Sequence, residues 1–302
     1  MKLFVFIKLI FSGAGANHKL YKLILIFSPM VLEALIHPKR AEKTYGLMLI
    51  YGFFFATIAI ILSLLIFQEE ASMVSVFLTV MMCIPLMYST MKLEEKEDLR
   101  SSDERVILRH HWKALRFLIF MFFGFIIAYS LWFVILPESM ADSLFSTQLA
   151  TIGAINSHVS GNTFFSDVFS RIFLNNFKVL LFCFFFSFFF GAGAIFILTW
   201  NASVIGAAMG TFVRDKLHIF GSPLLAYPFS LFRYMTHGVF EVLAYFVGGL
   251  AGGIISVAII NEHFKGEYTK RILKDSFQLM LLALILLVIA GLVEVYITPL
   301  LF

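Results

Sequence analysis

The feature that most constrains this chain is a run of 35 residues, Val179 to Val213, without one charged side chain. A straight helix of that length measures about 52 Å at about 1.5 Å per residue, too long for one crossing of a ~30 Å hydrocarbon core. Two full crossings need about 40 residues and a turn, so the run is too short for two. A break near Asn201-Ala202-Ser203 resolves the conflict: one crossing ends near Trp200, and a half-length segment starts with Asn201 or Ser203 as its N-cap. The uncharged stretch Leu217–Phe232, punctuated by Pro223 and Pro228, supplies the matching half. Residues 201–235 are therefore predicted to form a discontinuous crossing with Asn201, Gly206, Pro223 and Pro228 as its helix breaks. It also contains the charged knot Arg214-Asp215-Lys216. Such irregular backbone is tolerated at membrane depth only where protein or a wet cavity covers it.

Composition places the rest of the chain in the same solvent. Of 302 residues, 60% are hydrophobic and only 14% charged, against about 25% charged in a soluble domain. The 38 phenylalanines exceed what a water-exposed fold can hide, so the fold class read here is all-α, a polytopic transmembrane helix bundle. The net charge of +4 is small and falls in short loops, which excludes a nucleic-acid footprint. Cys83 and Cys183 each sit inside an apolar run, and no Cys/His cluster has metal-ligand spacing. No cofactor, metal or catalytic set is expected.

Four segments follow in order. Residues 1–45 form an N-terminal interfacial and cytoplasmic segment. Met1–Ala16 has the look of a signal peptide, but Lys8 interrupts its apolar part and Leu20–Ile36 follows at once, so interfacial helices are the preferred reading. Residues 46–91 form a transmembrane hairpin: Gly46–Phe67, an acidic turn Gln68-Glu69-Glu70, then Ala71–Met91 with Pro85 as a kink. Residues 92–116 form a charged loop whose seven Lys and Arg side chains make it cytoplasmic. Residues 117–302 form the core, with crossings at Phe117–Leu136, from Val179, through 201–235, at Tyr234–Ile260 and at Ser276–Thr298. The count is about seven, with the N-terminus cytoplasmic and the C-terminus outside. The only long outer segment, residues 139–176, contains Ser160-Gly161-Asn162 and an amphipathic helix, Ser166–Phe177. That helix reads as an interfacial element or as a lid or partner-docking element.

This topology brings polar groups from several helices to one depth: His237, Glu241, Glu294, Asn175, Asn176 and Arg233. A charge inside the membrane costs about 2.5–3.5 kcal/mol at the centre on insertion scales, so it pairs or meets water. Two readings follow, an interhelical polar clamp or a proton-, ion- or substrate-binding site. His237 and Glu241 share a helix face at i, i+4 but lack the second histidine of the zincin pattern. Gly248, Gly249, Gly252 and Gly253 make two overlapping Gly-x-x-x-Gly patterns, which place this helix in the centre of the bundle or at a homo-oligomer contact.

Asn175-Asn176, a Phe/Gly-rich crossing, Asn201 with Gly206, His237-Gly238-x-x-Glu241, the glycine-rich helix and the ending Gly291-x-x-Glu294-x-x-x-x-Pro299 together resemble the stage II sporulation protein M family. The resemblance runs from about Phe164 to Leu300. Val31–Phe67, with Glu33 and Pro38, is similar to the archaeal branch, whose members begin near Met30; residues 1–29 depart from that pattern. In spore-forming bacteria the family implies a multipass cell-membrane protein that holds peptidoglycan-degrading partners and works as a scaffold. For this chain the resemblance implies lipid-embedded topology, membrane or envelope protein partners and no enzymatic activity. Sporulation itself does not carry over. The alternative from the residues alone is a small-solute or ion transporter using His237, Glu241 and Glu294.

Overall fold

The structure, a computed structural model, describes residues 45–98, 104–159, 165–190, 194–260 and 267–301, with the side chains of 87–115 left aside. The chain divides into two units, Met1–His37 and Pro38–Phe302, and only the second is described. The N-terminal segment, Ser160-Gly161-Asn162 and the connection around Glu262 and Lys265 lie outside the described residues.

Among the described residues every element is helical. α1 (Tyr45–Ile66) and α2 (Ala71–Asp98) form the hairpin, and α3 (Glu104–Ile135) follows. Two shorter helices come next, α4 (Glu138–Leu144) and α5 (Ser146–Val159). The core continues with α6 (Phe165–Phe190), α7 (Ala194–Asp215), a single turn α8 (Leu217–Phe220) and α9 (Pro223–Ile260). It closes with α10 (Glu267–Leu292), a π-helical turn (Val293–Ile297) and α11 (Thr298–Leu301). Six helices are long and apolar enough to cross a membrane, and α2 contributes a shorter apolar stretch, Ala71–Leu86. The all-α polytopic bundle expected from composition is therefore the observed architecture.

The discontinuous crossing is not. α7 runs unbroken from Ala194 to Asp215, with Asn201 and Gly206 in its interior. The Asn201 side chain caps nothing: its amide donates to the Ile197 carbonyl one turn back, at 2.8 Å. The uncharged run is carried by two described helices, one ending at Phe190 and the next starting at Ala194. The first of the two crossings gains its length from Phe165–Lys178, so Ser166–Phe177 is not a separate interfacial helix but the first half of α6. Pro223 and Pro228 do not split a crossing either. Pro223 opens α9, where a missing N–H is harmless, and Pro228 lies in the second turn of an unbroken 38-residue helix. The chain reverses just before it, where Gly221 ends α8 with φ of 69°, a left-handed conformation that favours glycine.

Helix directions follow from paired contacts. On α1 and α3, Tyr45 meets Phe120 and Thr57 accepts from Trp132, so the two run parallel. Gly52 and Gly124 let their backbones touch: a Cβ on Gly52 would fall on the Met121 carbonyl, and one on Gly124 on the Leu49 carbonyl. α7 runs parallel to α3, with Gly206 against Tyr129, Gly210 against the Phe133 ring, and Arg214 at the α3 terminus. The glycine predicted to break a helix is therefore one that lets two helices approach. Arg214 stacks over Phe133 at 4.9 Å and donates to the Leu136 carbonyl, satisfying one of the orphan acceptors of a helix end.

A buried polar thread crosses this half. Gln148 on α5 is fully buried, accepts from Ser72 (2.7 Å) and donates to Ser203 (3.2 Å). Deeper in, the hydroxyls of Thr79 and Tyr129 are 3.0 Å apart. Thus α5, although not itself a crossing, is pinned between α2 and α7.

Candidate functional site

The second half of the bundle, α6, α9 and α10, carries the polar cluster. α9 is the central element, because its glycines admit two neighbours. A Cβ on Gly252 would land on the Phe184 carbonyl of α6, and one on Gly248 on the Leu180 side chain. Gly249 faces Ala194 of α7 and Ser187 of α6, and Gly253 is buried as well. Of the two placements open to the glycine stripe, the bundle centre is the one observed at Gly248, Gly249 and Gly252. That face is filled by α6 and α7 of the same chain and needs no second copy.

The close α6–α9 approach sets the cluster. One to two turns from Gly248, the Asn176 side-chain amide donates to the Glu241 carboxylate. Glu294 lies within electrostatic range of Glu241. Glu294 sits in the π-helical turn, which admits one extra residue and is commonest near functional positions. Beside it, Thr298 donates to the Val293 carbonyl at 3.2 Å, and its oxygen lies 3.3 Å from His237 Nδ1. Three helices thus contribute to one group of side chains: Asn176 from α6, His237 and Glu241 from α9, Glu294 and Thr298 from the end of α10 and α11. Ser276 ties the opposite end of α10 to α9 through the Ala251 carbonyl, at 2.9 Å.

One member of the predicted set is elsewhere. Asn175 is exposed on the far side of α6, because consecutive residues of a helix diverge by about 100° and Asn176 takes the inward position. Arg233 stays at the edge of the cluster: it lies one turn before His237, within electrostatic range of it, and is placed over the Phe212 ring of α7, 5.6 Å from its centroid. Sequence reasoning also missed members. Thr298 stands four residues after Glu294, a spacing that marks a shared face. Gln148, in the other half of the bundle, was missed as well, since it stands among Ser146, Thr147 and Thr151 and nothing in that stretch marks it as buried. Among the described residues no group of three His, Cys, Asp or Glu side chains is arranged to hold a metal ion.

With this geometry in hand, the chain can be set beside known proteins. No solved structure matches it. An uncharacterized protein of Methanocaldococcus jannaschii is 29% identical over 136 residues, 43% of this chain and 71% of the relative. The family model described as stage II sporulation protein M matches residues 114–299, more than half of the chain. The match extends further toward the N-terminus than the resemblance that started at Phe164, taking in most of α3 and all of α4 and α5. The cluster and the glycine stripe lie inside it, and α1 and α2 lie outside. The chain belongs to the stage II sporulation protein M family.

Proposed function

We propose that the protein is an integral scaffold or assembly factor of the cell membrane, holding partner proteins there without catalytic activity of its own. One observation carries this reading: the polar groups at membrane depth are engaged with one another across helices. Asn176 serves Glu241 and His237 meets Thr298, which is what an interhelical clamp requires. Family membership supports it as well. The proposed orientation has the N-terminus in the cytoplasm and the C-terminus outside. It is supported by Lys and Arg in the α2–α3 and α9–α10 connections, which alternating helix directions put on the same side.

The test is a photo-crosslinking scan over exposed positions of the full chain in membranes of its own host. Adducts with at least one other protein are expected, and Glu241→Gln should preserve the fold while weakening those adducts. Adducts with lipid and with this chain alone, at every position, would falsify the scaffold.

A transporter of ions or small solutes is the second reading. It is favoured by one observation, two carboxylates from separate helices within electrostatic range of each other. It loses the broken crossing that first suggested it, since α7 is continuous. Proton- or cation-dependent flux in liposomes, absent in Glu241→Gln, would establish it.

A further inference from the structure

The two faces of α6 differ sharply, and the outward one changes character halfway along. The inward face presents Phe169 to Gly291, Asn176 to Glu241, and Leu180 and Phe184 to the glycines of α9. Only 17% of the spanning window of α6 is buried in the bundle, against 61% for α9. Toward its second half the exposed residues are Phe182, Phe185 and Phe189, as expected for lipid contact. In its first half the exposed residues are Asp167, Ser170, Arg171, Leu174, Asn175 and Lys178, all but Leu174 polar, and Asp167, Arg171, Asn175 and Lys178 form a stripe at helical spacing.

The inner part of that stripe belongs to the crossing. From Lys178 to the helix end at Phe190 there are 12 residues, about 18 Å of helix, too little for a ~30 Å core. A complete crossing by α6 has to begin near Arg171, so Asn175 and Lys178 lie within the membrane. Asn176 pairs with Glu241 at the same level. An exposed ammonium at such a depth is costly in lipid, and intramembrane charges as a rule face protein or water and pair.

We infer that the stripe Asp167–Arg171–Asn175–Lys178 is the docking surface for a membrane-spanning helix of a different protein, one that presents a carboxylate at the depth of Lys178. The inference rests on the scaffold reading and names its surface. A second copy of this chain does not fit. Around a two-fold axis normal to the membrane a stripe meets itself, so Lys178 would face Lys178 and Asp167 would face Asp167. No other face of a second copy fits either among the described residues. Among the described residues the exposed carboxylates other than Asp167 are Glu69, Glu70, Glu138, Asp142 and Asp215, all in turns, short helices or helix ends. The stripe runs about 16 Å along α6, longer than a lipid headgroup, and it mixes both signs with an amide. A second helix can match it along its whole length.

The experiment uses the full chain in membranes of its own host, with a photo-crosslinking residue at position 175 and a control at 182. The expected adduct at 175 is a transmembrane peptide of another protein containing Asp or Glu. Lys178→Leu should reduce it about tenfold or more, and Lys178→Arg should retain it. Reversing both charges, Lys178→Glu with Lys in place of the partner's acid, should restore it. Four results overturn the inference: adducts with lipid only, adducts with this chain only, a partner peptide without an acid, or ready modification of a cysteine at 175 by a water-soluble, membrane-impermeant maleimide. Protein adducts from other positions but not from 175 reject this surface and leave the scaffold standing. No protein adduct from any exposed position rejects both.

Discussion

Asn176 on α6 donates its side-chain amide to the Glu241 carboxylate on α9, while its sequence neighbour Asn175 faces away from the bundle. Two adjacent asparagines therefore do opposite things, one closing the cluster and the other belonging to an exposed stripe. The bond is short-range and geometric. It forms because Gly248 and Gly252, on the same helix as Glu241, let α6 approach closely enough for a side chain as short as asparagine to reach.

Replacing Asn176 by leucine removes the donor and leaves a carboxylate facing an apolar group. Interhelical hydrogen bonds in membranes contribute about 0.6–2 kcal/mol, and that is the expected loss of stability. Glu241→Gln should cost less than Glu241→Leu, because the glutamine carbonyl still accepts from Asn176. Reversible unfolding in detergent or bicelles would rank the three variants. Equal losses for Gln and Leu at 241 would mean that the bond contributes nothing.

Glycine substitutions should separate by what the new Cβ meets. Gly252→Ala puts a methyl on the Phe184 carbonyl, and backbone cannot swing aside as a side chain does, so a loss of about 1–3 kcal/mol is expected. Gly124→Ala meets the Leu49 carbonyl and should behave alike. Gly153→Ala in α5 meets nothing within 4 Å and should stabilise by about 0.5–1 kcal/mol through helix propensity. Thermal unfolding of the three variants checks the order.

Asn201→Ala tests whether that residue caps a helix. A lost N-cap costs about 0.5–2 kcal/mol. Here Asn201 is inside α7 and bonds only to the Ile197 carbonyl, so the change should stay within about 0.5 kcal/mol. A loss above 1 kcal/mol would restore the broken crossing.

Gln148→Leu cuts the thread between α2 and α7, leaving buried Ser72 without its acceptor and Ser203 without its donor. The expected cost is about 1–3 kcal/mol. Ser203→Ala should cost less, since it removes one end of the thread only. Increased proteolysis of the 136–164 segment in Gln148→Leu, relative to the parent, would report that α5 has loosened.

Topology can be read by cysteine labelling. Cys83 and Cys183 are buried, so background from an impermeant maleimide should be low. Cysteines at Glu69 and Glu138 should react in intact cells, and those at Ser102 and Thr269 only after permeabilisation. Labelling of Thr269 in intact cells would invert the proposed orientation.

How much was legible in advance differs by element. The hairpin α1–α2 and the presence of a crossing within α10 follow from runs of uncharged residues and from charged turns, because lipid imposes its thickness on every crossing, whereas α9 starts at Pro223, eleven residues before the expected Tyr234. The broken crossing was misread because Asn and Gly inside an apolar run carry two meanings. The same residues that end helices in water serve as contact points between helices in lipid, and Gly206 lies against Tyr129 for the second reason. The polar cluster was legible as a set of depths and not as a set of contacts. His237, Glu241 and Glu294 were placed together by counting residues from the membrane surface. Choosing Asn176 over Asn175, and finding Thr298 and Gln148, required knowing which face each helix turns inward.

What the sequence determined by itself is the solvent, the helical class and the family, since these depend on composition, on segment length and on the order of a few residues. Tertiary structure alone decided that Asn201 and Gly206 lie inside one continuous helix, that the glycine stripe is filled from within the chain, and that α6 keeps a charged half uncovered. Those are questions of rotation about helix axes, which no count along a single helix resolves. They are answered only when the backbones approach and one face is chosen over the other.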